Sequence, residues 1–438
     1  MADQHRKPDT IELWFAKRIE DEIEKFFSSE ELRPIAQQNK ISVKDLLHSE
    51  VTRGKLEEIE RNHKEFFQLP FDFEIIDPLK NNDRKMSLSS VDSGCPPVFL
   101  HVSSEGLSVE LRTDFQDQGI VIDDFHSLTQ KNPTLVSEFL NENLLRNSIT
   151  SSLIHAITSN AVVVVIPDHA EINEVIKIEF ACASTGRIIP FHLITRIGKN
   201  AKANFSINIK PARSKKSSNV LLLQNDFSLA ENAELNIFRH QTTGENTLIL
   251  MDDVIKQERN SKAVFLNIDE GAKGVSSKIS LSLEGEGAES TVTGIYRPEQ
   301  SSRYFYDTEQ IHIASYTVSD LLYNGVIGES AYASWRGNIV INEGTRSTNG
   351  YQANNNLVIH ESAKVESVPG LEIKTDDVKC SHGVTIGNID KNHMFYLQSR
   401  GINKEASEKL IINGFLQSPL HRSKTGVFND QISTLFDI

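Results

Sequence analysis

The chain has 438 residues, enough for about three structural units of roughly 150 residues each. Hydrophobic residues make up 38% and charged residues 24%, a globular balance that excludes disorder of the whole chain. The 46 basic and 60 acidic side chains give a formal net charge of −14, so the average surface repels a phosphate backbone. Nucleic acid is therefore not expected as a partner.

Hydropathy and cysteine content indicate the cellular compartment of the protein. The longest strongly apolar run, Ala161 to Ile166, is far shorter than the roughly 20 residues that cross a bilayer, and the first residues contain no apolar signal core. The three cysteines, Cys95, Cys182 and Cys380, are too few for a disulfide framework and show no C-x-x-C spacing. These features predict a soluble, cytoplasmic protein without membrane contact.

Residues 1–90 are predicted to form a helical region that ends in a linker. Apolar residues recur at three- and four-residue intervals from Ile11 to Phe27, and Thr10 precedes them as a cap. A second helical pattern runs from about Ser42 to Leu69. Residues 76–97 are polar and rich in turn formers, so we place a domain boundary there.

Residues 98–388 are predicted to be mainly β-structure. Short runs rich in valine, isoleucine and leucine alternate with polar turns, and one helix is expected at about Asn132 to Leu145. The clearest runs are Val98 to Val102, Leu107 to Leu111, Val162 to Ile166, Val220 to Leu223, Leu248 to Met251 and Leu357 to Ile359.

A weak internal repeat runs through this region. A strand ends, an acidic or amide residue and an alanine follow, and another strand begins. The alanines are Ala170, Ala201, Ala233, Ala272, Ala288, Ala331 and Ala363, with Thr345 in a degenerate copy. Small residues at such corners are what the stacked coils of a β-solenoid require, so the repeat predicts a β-helix. The variable spacing leaves a β-sandwich with alanine-rich turns as the alternative.

Residues 389–438 are predicted to form a helical hairpin and a tail. Asp390 caps a helix through Arg400, Gly401 suits a left-handed exit, and Asn403 caps a second helix. The pattern assigns no structure to the polar tail beyond Gln417. The second helix carries more apolar side chains than the hairpin can bury, and we expect the hairpin to be removable without damage to the β-helix; these side chains include Leu410, Ile411 and Phe415.

One segment combines residues that could bind a metal. The chain contains no P-loop, H-E-x-x-H pair or G-x-S-x-G elbow. Cys380 and His382, however, alternate along a predicted strand, on one face and about 6.5 Å apart between Cα atoms. Thiolate and imidazole suit iron, zinc or an iron–sulfur cluster. If Leu371 and Ile373 point into the solenoid and no bulge intervenes, counting along the strand places the pair on the outward face.

Two ligands cannot close a site that needs about four. Either a second protein completes the site, or Cys380 is a buried small residue and His382 a turn residue. Cys95 and Cys182 are interpreted as structural. His312 and His360 are interpreted as ordinary solenoid residues.

Four segments of the sequence carry a family resemblance: Gly337-Asn-Ile-Val-Ile, Gly350-Tyr-Gln-Ala-Asn-Asn-Asn-Leu, Pro369-Gly-Leu-Glu-Ile-Lys-Thr-Asp-Asp-Val-Lys-Cys-Ser-His-Gly and Phe395-Tyr-Leu-Gln-Ser-Arg-Gly-Ile. They resemble the SufB/SufD family of iron–sulfur cluster assembly scaffolds. The string D-D-V-K-C-S-H-G, which contains both metal-binding candidates, looks like the SufD-type subunit. The resemblance is strong over residues 320–415, weaker back to about 119, and not evident in the first 90 residues.

This resemblance implies a right-handed parallel β-helix flanked by helical ends. It implies pairing with a SufB-like subunit through the β-helix and docking of a SufC-like ATPase on the C-terminal helices. It also implies that His382, with Cys380 beside it, lies near a nascent iron–sulfur cluster at the SufB interface. The cluster is expected to be bound transiently with the partner, and none is expected on the isolated chain.

The sequence departs from the family pattern at three places. Asn324 replaces a usual lysine, Asn355 replaces a usual arginine, and Thr348-Asn-Gly replaces Thr-Asp-Ala. We expect these to be changes of polar surface that alter partner contacts more than the fold.

The leading functional hypothesis is a non-catalytic scaffold subunit of the SUF system. A carbohydrate-active β-helix enzyme is an alternative that needs paired acids in a groove. Asp376 and Asp377 form the adjacent acidic pair near the singled-out segment, but neighbouring strand residues face opposite sides. A homodimeric SufD-like protein without a cluster role is the third possibility.

Overall fold

The computed structural model describes residues 74–75, 87–91, 96–103, 106–132, 150–151, 154, 161–181, 187–210, 219–423 and 426–436. Strands dominate this part of the chain, as predicted. The elements before the first full coil are β1 Glu74–Ile75, β2 Ser87–Val91, β3 Val98–Ser103, β4 Gly106–Arg112, α1 Thr113–Gln116, β5 Val121–Asp124 and α2 Phe125–Lys131. The long strands that follow are β6 Val162–Ile166, β7 Glu171–Ala181, β8 Arg187–Ile197, β9 Lys202–Lys210, β10 Asn219–Leu229, β11 Glu234–Gln241, β12 Thr247–Gln257, β13 Lys262–Glu270, β14 Gly274–Leu283, β15 Glu289–Arg297, β16 Arg303–His312, β17 Val318–Ile327, β18 Tyr332–Ile341, β19 Thr348–Val358, β20 Lys364–Ile373 and β21 Val378–Asn388. The C-terminal elements are α3 Lys391–Ser399, α4 Lys404–Ser423, a 3₁₀ turn Gly426–Phe428 and α5 Asn429–Phe436.

The long strands wind into a parallel β-solenoid. Even-numbered strands from β6 to β20 pair in sequence order in one sheet (sheet 1), and odd-numbered strands from β7 to β21 do the same in the other (sheet 2). Every neighbouring pair along these two series is parallel. The predicted β-helix is therefore confirmed, and the β-sandwich alternative is wrong.

Several predicted elements fall outside the described residues. These are the N-terminal helical patterns, residues 133–145 of the predicted internal helix, Cys95 and Cys182. Asn132 itself is described and is the C-cap residue of α2, directly after its last residue, Lys131. Within the segment predicted as a linker, β2 is a strand that pairs with β4, so this part belongs to sheet 2.

The alanine repeat marks two kinds of corner. Ala233 follows a turn from sheet 1 to sheet 2, where Asn232 has a positive φ of 58°. Ala331 follows a turn in the opposite direction, from sheet 2 to sheet 1. Both methyl groups are fully buried. Because the repeat samples both corners of each coil, its spacing in the sequence is irregular.

Asparagine stabilises one of these corners. Asn200, Asn232 and Asn260 all have positive φ, a conformation that asparagine tolerates better than most residues. The Asn232 side chain donates to Asn200 at 2.9 Å, and Asn260 donates to Asn232 at 3.2 Å. Successive coils are therefore joined by an amide ladder as well as by the strand hydrogen bonds.

Alternating charges follow the same edge of sheet 2. Glu171, Lys202, Glu234, Lys262 and Glu289 occupy the first position of successive strands and are in register. Lys202 lies 3.6 Å from Glu234, and Lys262 lies 3.5 Å from Glu289. Each exposed pair contributes little free energy, but the alternation keeps unlike charges adjacent at every step of the stack.

Aromatic rings fill the interior of the later coils where glycine leaves room. A Cβ on Gly294 would lie 2.1 Å from the Tyr323 ring, and one on Gly325 would lie 2.1 Å from the Tyr296 ring. The buried Tyr296 hydroxyl donates to Asn356 at 2.5 Å. Tyr296 and Tyr323 therefore belong to the buried core of the later coils.

The C-terminal helices pack on the outer face of sheet 2. Leu416 of α4 and Phe428 are fully buried in a cluster with Phe238, Ile295 and Val326 of that sheet. The predicted caps are confirmed: Asp390 accepts from the backbone of Asn392, and Asn403 accepts from Ala406. Gly401 has the expected positive φ of 87°. None of the helices in the described part of the chain has the length and apolar character needed to span a bilayer.

Part of the tail beyond Gln417, to which the sequence pattern assigned no structure, is helical in the described residues. It continues α4 to Ser423 and then forms the 3₁₀ turn and α5. The reason is tertiary, because burial of Phe428 against Phe238, with ring centroids 5.5 Å apart, stabilises a segment whose local pattern is weak.

Candidate functional site

One end of the solenoid is uncovered in the described structure. β20 and β21 are the outermost strands of the two sheets, and no described strand pairs with their free edges. At the opposite end, β5 pairs antiparallel with β6, and β3 pairs antiparallel with β4. We call the surface formed by β20 and β21 the open end. Unpaired edges of this kind are templates for another chain.

Cys380 and His382 lie on the inner face of β21. They are in register with Gly350 and Gln352 of β19, and paired residues of parallel strands share a face. The Gln352 amide reaches across the interior to the carbonyl of Gly370, so this face is inward. A Cβ on Gly350 would lie 3.4 Å from the Cys380 Sγ, which confirms the orientation of the thiol.

The predicted outward orientation of Cys380 and His382 is therefore wrong, but a partner can still reach both side chains. Leu371 and Ile373 do align with the inward-facing Ile339 and Ile341. Between Ile373 and Val378, however, the chain turns from sheet 1 to sheet 2, so the alternation of faces does not carry through the corner. The pair is reachable because no further coil covers it.

Apolar side chains surround the pair. Leu371 and Ile373 on β20 and Val384 and Ile386 on β21 all point inward, yet 38% to 50% of each remains exposed. Equivalent residues one coil earlier, such as Ile339, are fully buried. A contiguous exposed apolar surface of this kind is typical of a protein–protein interface.

The two candidate ligands differ in environment. Cys380 is half-buried, and burial raises the pKa of its thiol, an effect partly offset by a hydrogen bond from the Gly350 backbone. His382 is exposed and has no hydrogen-bond partner among the described residues. No group of three or more His, Cys, Asp or Glu side chains in the described part of the chain is placed to hold a metal ion.

A second exposed apolar surface lies on the helices. Phe395 and Tyr396 of α3 are 73% and 57% exposed, and Leu410 of α4 is 52% exposed. The apolar side chains that the hairpin was not expected to bury therefore have two different environments. Phe415 packs against the cluster on sheet 2, whereas Leu410 faces outward. We call Phe395, Tyr396 and Leu410 the helical patch.

Two departures from the family pattern lie beneath α4 rather than on a polar surface. Asn324 is buried and donates to the carbonyl of Phe415 at 2.8 Å. Asn355, in register with it, donates to Asn324 at 3.1 Å. The expectation of surface changes is wrong here, because the outer face of sheet 2 is covered by α4 at this point.

The remaining singled-out residues have local roles. His312 is fully buried and contacts the hydroxyls of Thr317 and Ser319, each at 2.8 Å. His360 is exposed and accepts from the backbone of Ser362. Asp377 accepts two hydrogen bonds from Ser347 in a turn. Sequence reasoning missed Gln352, because its position beside His382 arises only when two successive coils stack.

Residues 180–415 match the family model described as "SUF system FeS cluster assembly, SufBD core domain". An iron–sulfur cluster assembly SufBD family protein of Synechocystis is 24% identical over 293 residues, 64% of each chain. The iron–sulfur cluster assembly protein SufD of Escherichia coli is 35% identical over 136 residues, 31% of this chain and 32% of that one. SufD of Bacillus subtilis is 21% identical over 356 residues, 76% of this chain and 77% of that one.

Proposed function

The chain belongs to the SufBD core domain family of the SUF system, and from that membership we propose that it is a SufD-type scaffold subunit in cytoplasmic iron–sulfur cluster assembly. Its task is to form a complex on which a cluster is built, and no chemical step is assigned to this chain alone. The observation that carries the proposal is the open end, where an inward-facing cysteine and histidine lie within an apolar surface that lacks its next layer.

The proposed partner at the open end is a SufB-like subunit. The unpaired edges of β20 and β21 offer backbone hydrogen bonds, and Leu371, Ile373, Val384 and Ile386 offer apolar area. A partner that extends the stack of strands pairs with the free backbone groups and also covers the apolar side chains, as strand addition does in other complexes. When no partner is present, we expect a second copy of this chain to bind the same open end and form a homodimer.

The iron–sulfur cluster is the cargo of this complex. His382 supplies one of the roughly four ligands that a cluster needs, Cys380 beside it is the candidate for a second, and the partner supplies the others across the interface. The isolated chain is therefore expected to bind little iron. Imidazole from His382 is the ligand of first choice, since its side chain is exposed and has no competing hydrogen bond in the described structure.

Reconstitution of the complex tests this assignment. The full chain and a SufB-like partner are assembled with the ATPase, loaded anaerobically with ferrous iron and sulfide, and assayed by visible absorption and by transfer to an acceptor protein. We expect His382→Ala to leave assembly intact and to lower cluster content severalfold. Cys380→Ala should do as much if the thiol is a ligand and less if it is only a neighbour.

His360→Ala, at an exposed histidine between β19 and β20, is the matched control and should keep full cluster content. Equal cluster content and equal transfer for His382→Ala and the control would contradict the cluster role. Failure of the partner to bind at all, with the free chain found only as a homodimer, would instead support the alternative of a homodimeric protein.

The helical patch is the proposed docking surface for a SufC-like ATPase. Phe395 and Tyr396 have little packing role within the described structure, because no residue of α3 is buried. Replacement of both by alanine should preserve the fold and weaken ATPase binding at least tenfold, the loss expected for a docking hot spot. Ile313→Ala, at an exposed apolar residue outside the helices, is the control. Unchanged ATPase affinity in the double variant would refute this docking surface.

A further inference from the structure

Stacked polar side chains in this solenoid regularly hydrogen-bond to the in-register residue of the next coil. Such pairs form inside the core and on its outer faces, with donor–acceptor distances from 2.7 to 2.8 Å. Examples are Asn225 with Asp253, Asn236 with Asn204, and Arg239 with Asn267. One strand spacing of about 4.8 Å therefore lies within reach of a side-chain hydrogen bond on this backbone.

Gln352 and His382 form an in-register pair at the open end without such a bond. Gln352 is fully buried, and its Nε2 donates to Gly370 at 2.9 Å and Gly337 at 3.4 Å. Its Oε1 is buried and accepts no hydrogen bond from the described residues. Buried acceptors are rarely left unused in folded proteins. His382, one strand away on the same face, has ring N–H groups to offer.

The Gln352 Oε1 lies in the room that the missing side chain of Gly337 leaves, beside the Trp335 ring. A Cβ there would lie 2.4 Å from the Gln352 Oε1 and 2.2 Å from the Trp335 ring. The Trp335 Nε1 is also buried without an acceptor in the described part of the chain. A carbonyl oxygen has two lone pairs, so Gln352 has the capacity to accept from the indole and from the imidazole.

We propose that Gln352 is the positioning residue of His382: its Oε1 accepts one ring N–H of the imidazole and so leaves the other ring nitrogen free to face the open end. This inference rests on the proposed role of His382 as a cluster ligand. A histidine that binds a metal commonly donates its second N–H to a fixed acceptor, which selects the tautomer and orients the ring.

The ring tautomer provides a readout that does not depend on cluster assembly. ¹⁵N-histidine is incorporated into the full chain, and the His382 signals are identified by their loss in His382→Asn. In the neutral ring, the ¹⁵N shifts of Nδ1 and Nε2 report which nitrogen carries the proton. We expect one dominant tautomer in the wild type and a mixture in Gln352→Leu.

Two further variants separate positioning from support of the fold. Gln352→Glu keeps an acceptor but loses the donors to Gly370 and Gly337, so positioning predicts that it retains the single tautomer. Gln310→Leu is the matched control: Gln310 is buried, donates to Tyr351 and has an unused Oε1, but its in-register neighbours Leu281 and Ile339 are apolar. It should leave His382 unchanged. A mixed tautomer in the wild type, or the same mixture in Gln352→Glu and Gln352→Leu, would overturn the proposal.

Iron binding by the assembled complex then distinguishes this inference from the proposed function. With ferrous iron as the probe, Gln352→Leu should weaken binding by about 10-fold or more, the usual effect of removing an outer partner of a metal ligand. Loss with His382→Ala but none with Gln352→Leu would remove the positioning role and leave the scaffold role standing. No loss with either variant would remove the cluster role of His382.

Discussion

Acid should destabilise the solenoid through His312. The side chain is fully buried at the end of β16, where Nδ1 lies 2.8 Å from the Thr317 hydroxyl and Nε2 lies 2.8 Å from the Ser319 hydroxyl. The Thr317 hydroxyl already donates to the carbonyl of Ala314, so it accepts from Nδ1, and Nε2 accepts from Ser319. This arrangement suits the neutral ring, and burial lowers the pKa of His312 from 6.5 to about 4.

The sign and size of the effect follow from proton linkage. Between pH 6.5 and pH 4 the unfolded chain binds a proton at this histidine and the folded chain does not, so the free energy of unfolding falls as pH falls. From these two pKa values, His312 contributes a loss of about 2 kcal/mol between pH 7.5 and pH 5.0 and about 3 kcal/mol in full. The stabilising contribution of the neutral His312 ring is fully present above pH 6.5.

Urea unfolding at pH 7.5 and pH 5.0, followed by circular dichroism, measures this effect against the variant His312→Gln. The variant should lose about 1 kcal/mol at pH 7.5, because the hydroxyl contacts are poorer. Its further loss on acidification should be about 2 kcal/mol smaller than that of the wild type, because the titrating ring is gone. His360→Gln, at an exposed histidine, should follow the wild type. Parallel pH dependences for the wild type and His312→Gln would refute the reasoning.

Two further predictions concern packing. Ala233→Leu should destabilise the protein by roughly 1 to 3 kcal/mol, because its corner is fully buried. Ala363→Leu should cost less, because Ala363 is only half-buried beside the open end. Urea midpoints of both variants equal to that of the wild type would contradict the corner assignment. Gly325→Ala should cost several kcal/mol as judged by thermal unfolding, since the new methyl group would lie 2.1 Å from the Tyr296 ring, the kind of overpacking that cores resist. Gly387→Ala, which meets nothing within 4 Å, is the control and should be nearly neutral.

Local sequence determined much of the solenoid. The aliphatic runs predicted the long strands because branched side chains favour extended backbone and burial on a sheet. The small residue after each turn predicted the stacked coils, since a larger side chain does not fit the corner. Helix caps at Asp390 and Asn403 were also readable, because a cap depends on neighbours within one turn.

The sequence also located Cys380 and His382 as a pair on one strand face, but it gave the wrong side of the sheet. Alternation holds only along a continuous strand, and the corner between Ile373 and Val378 changes the sheet to which the chain belongs. The position of the pair at an uncovered end, among four exposed apolar residues, follows from the stacking order of all the coils.

The tertiary structure alone decided what the C-terminal helices cover. The hairpin was expected to be removable, yet Leu416 and Phe428 bury the outer face of sheet 2 beside Phe238 and Val326, so deletion would expose that face. The proximity of Gln352 to His382 was equally hidden. Side chains that meet between coils are separated by one full coil of the chain. Local patterns do not show which of them meet, because the register between neighbouring strands decides it.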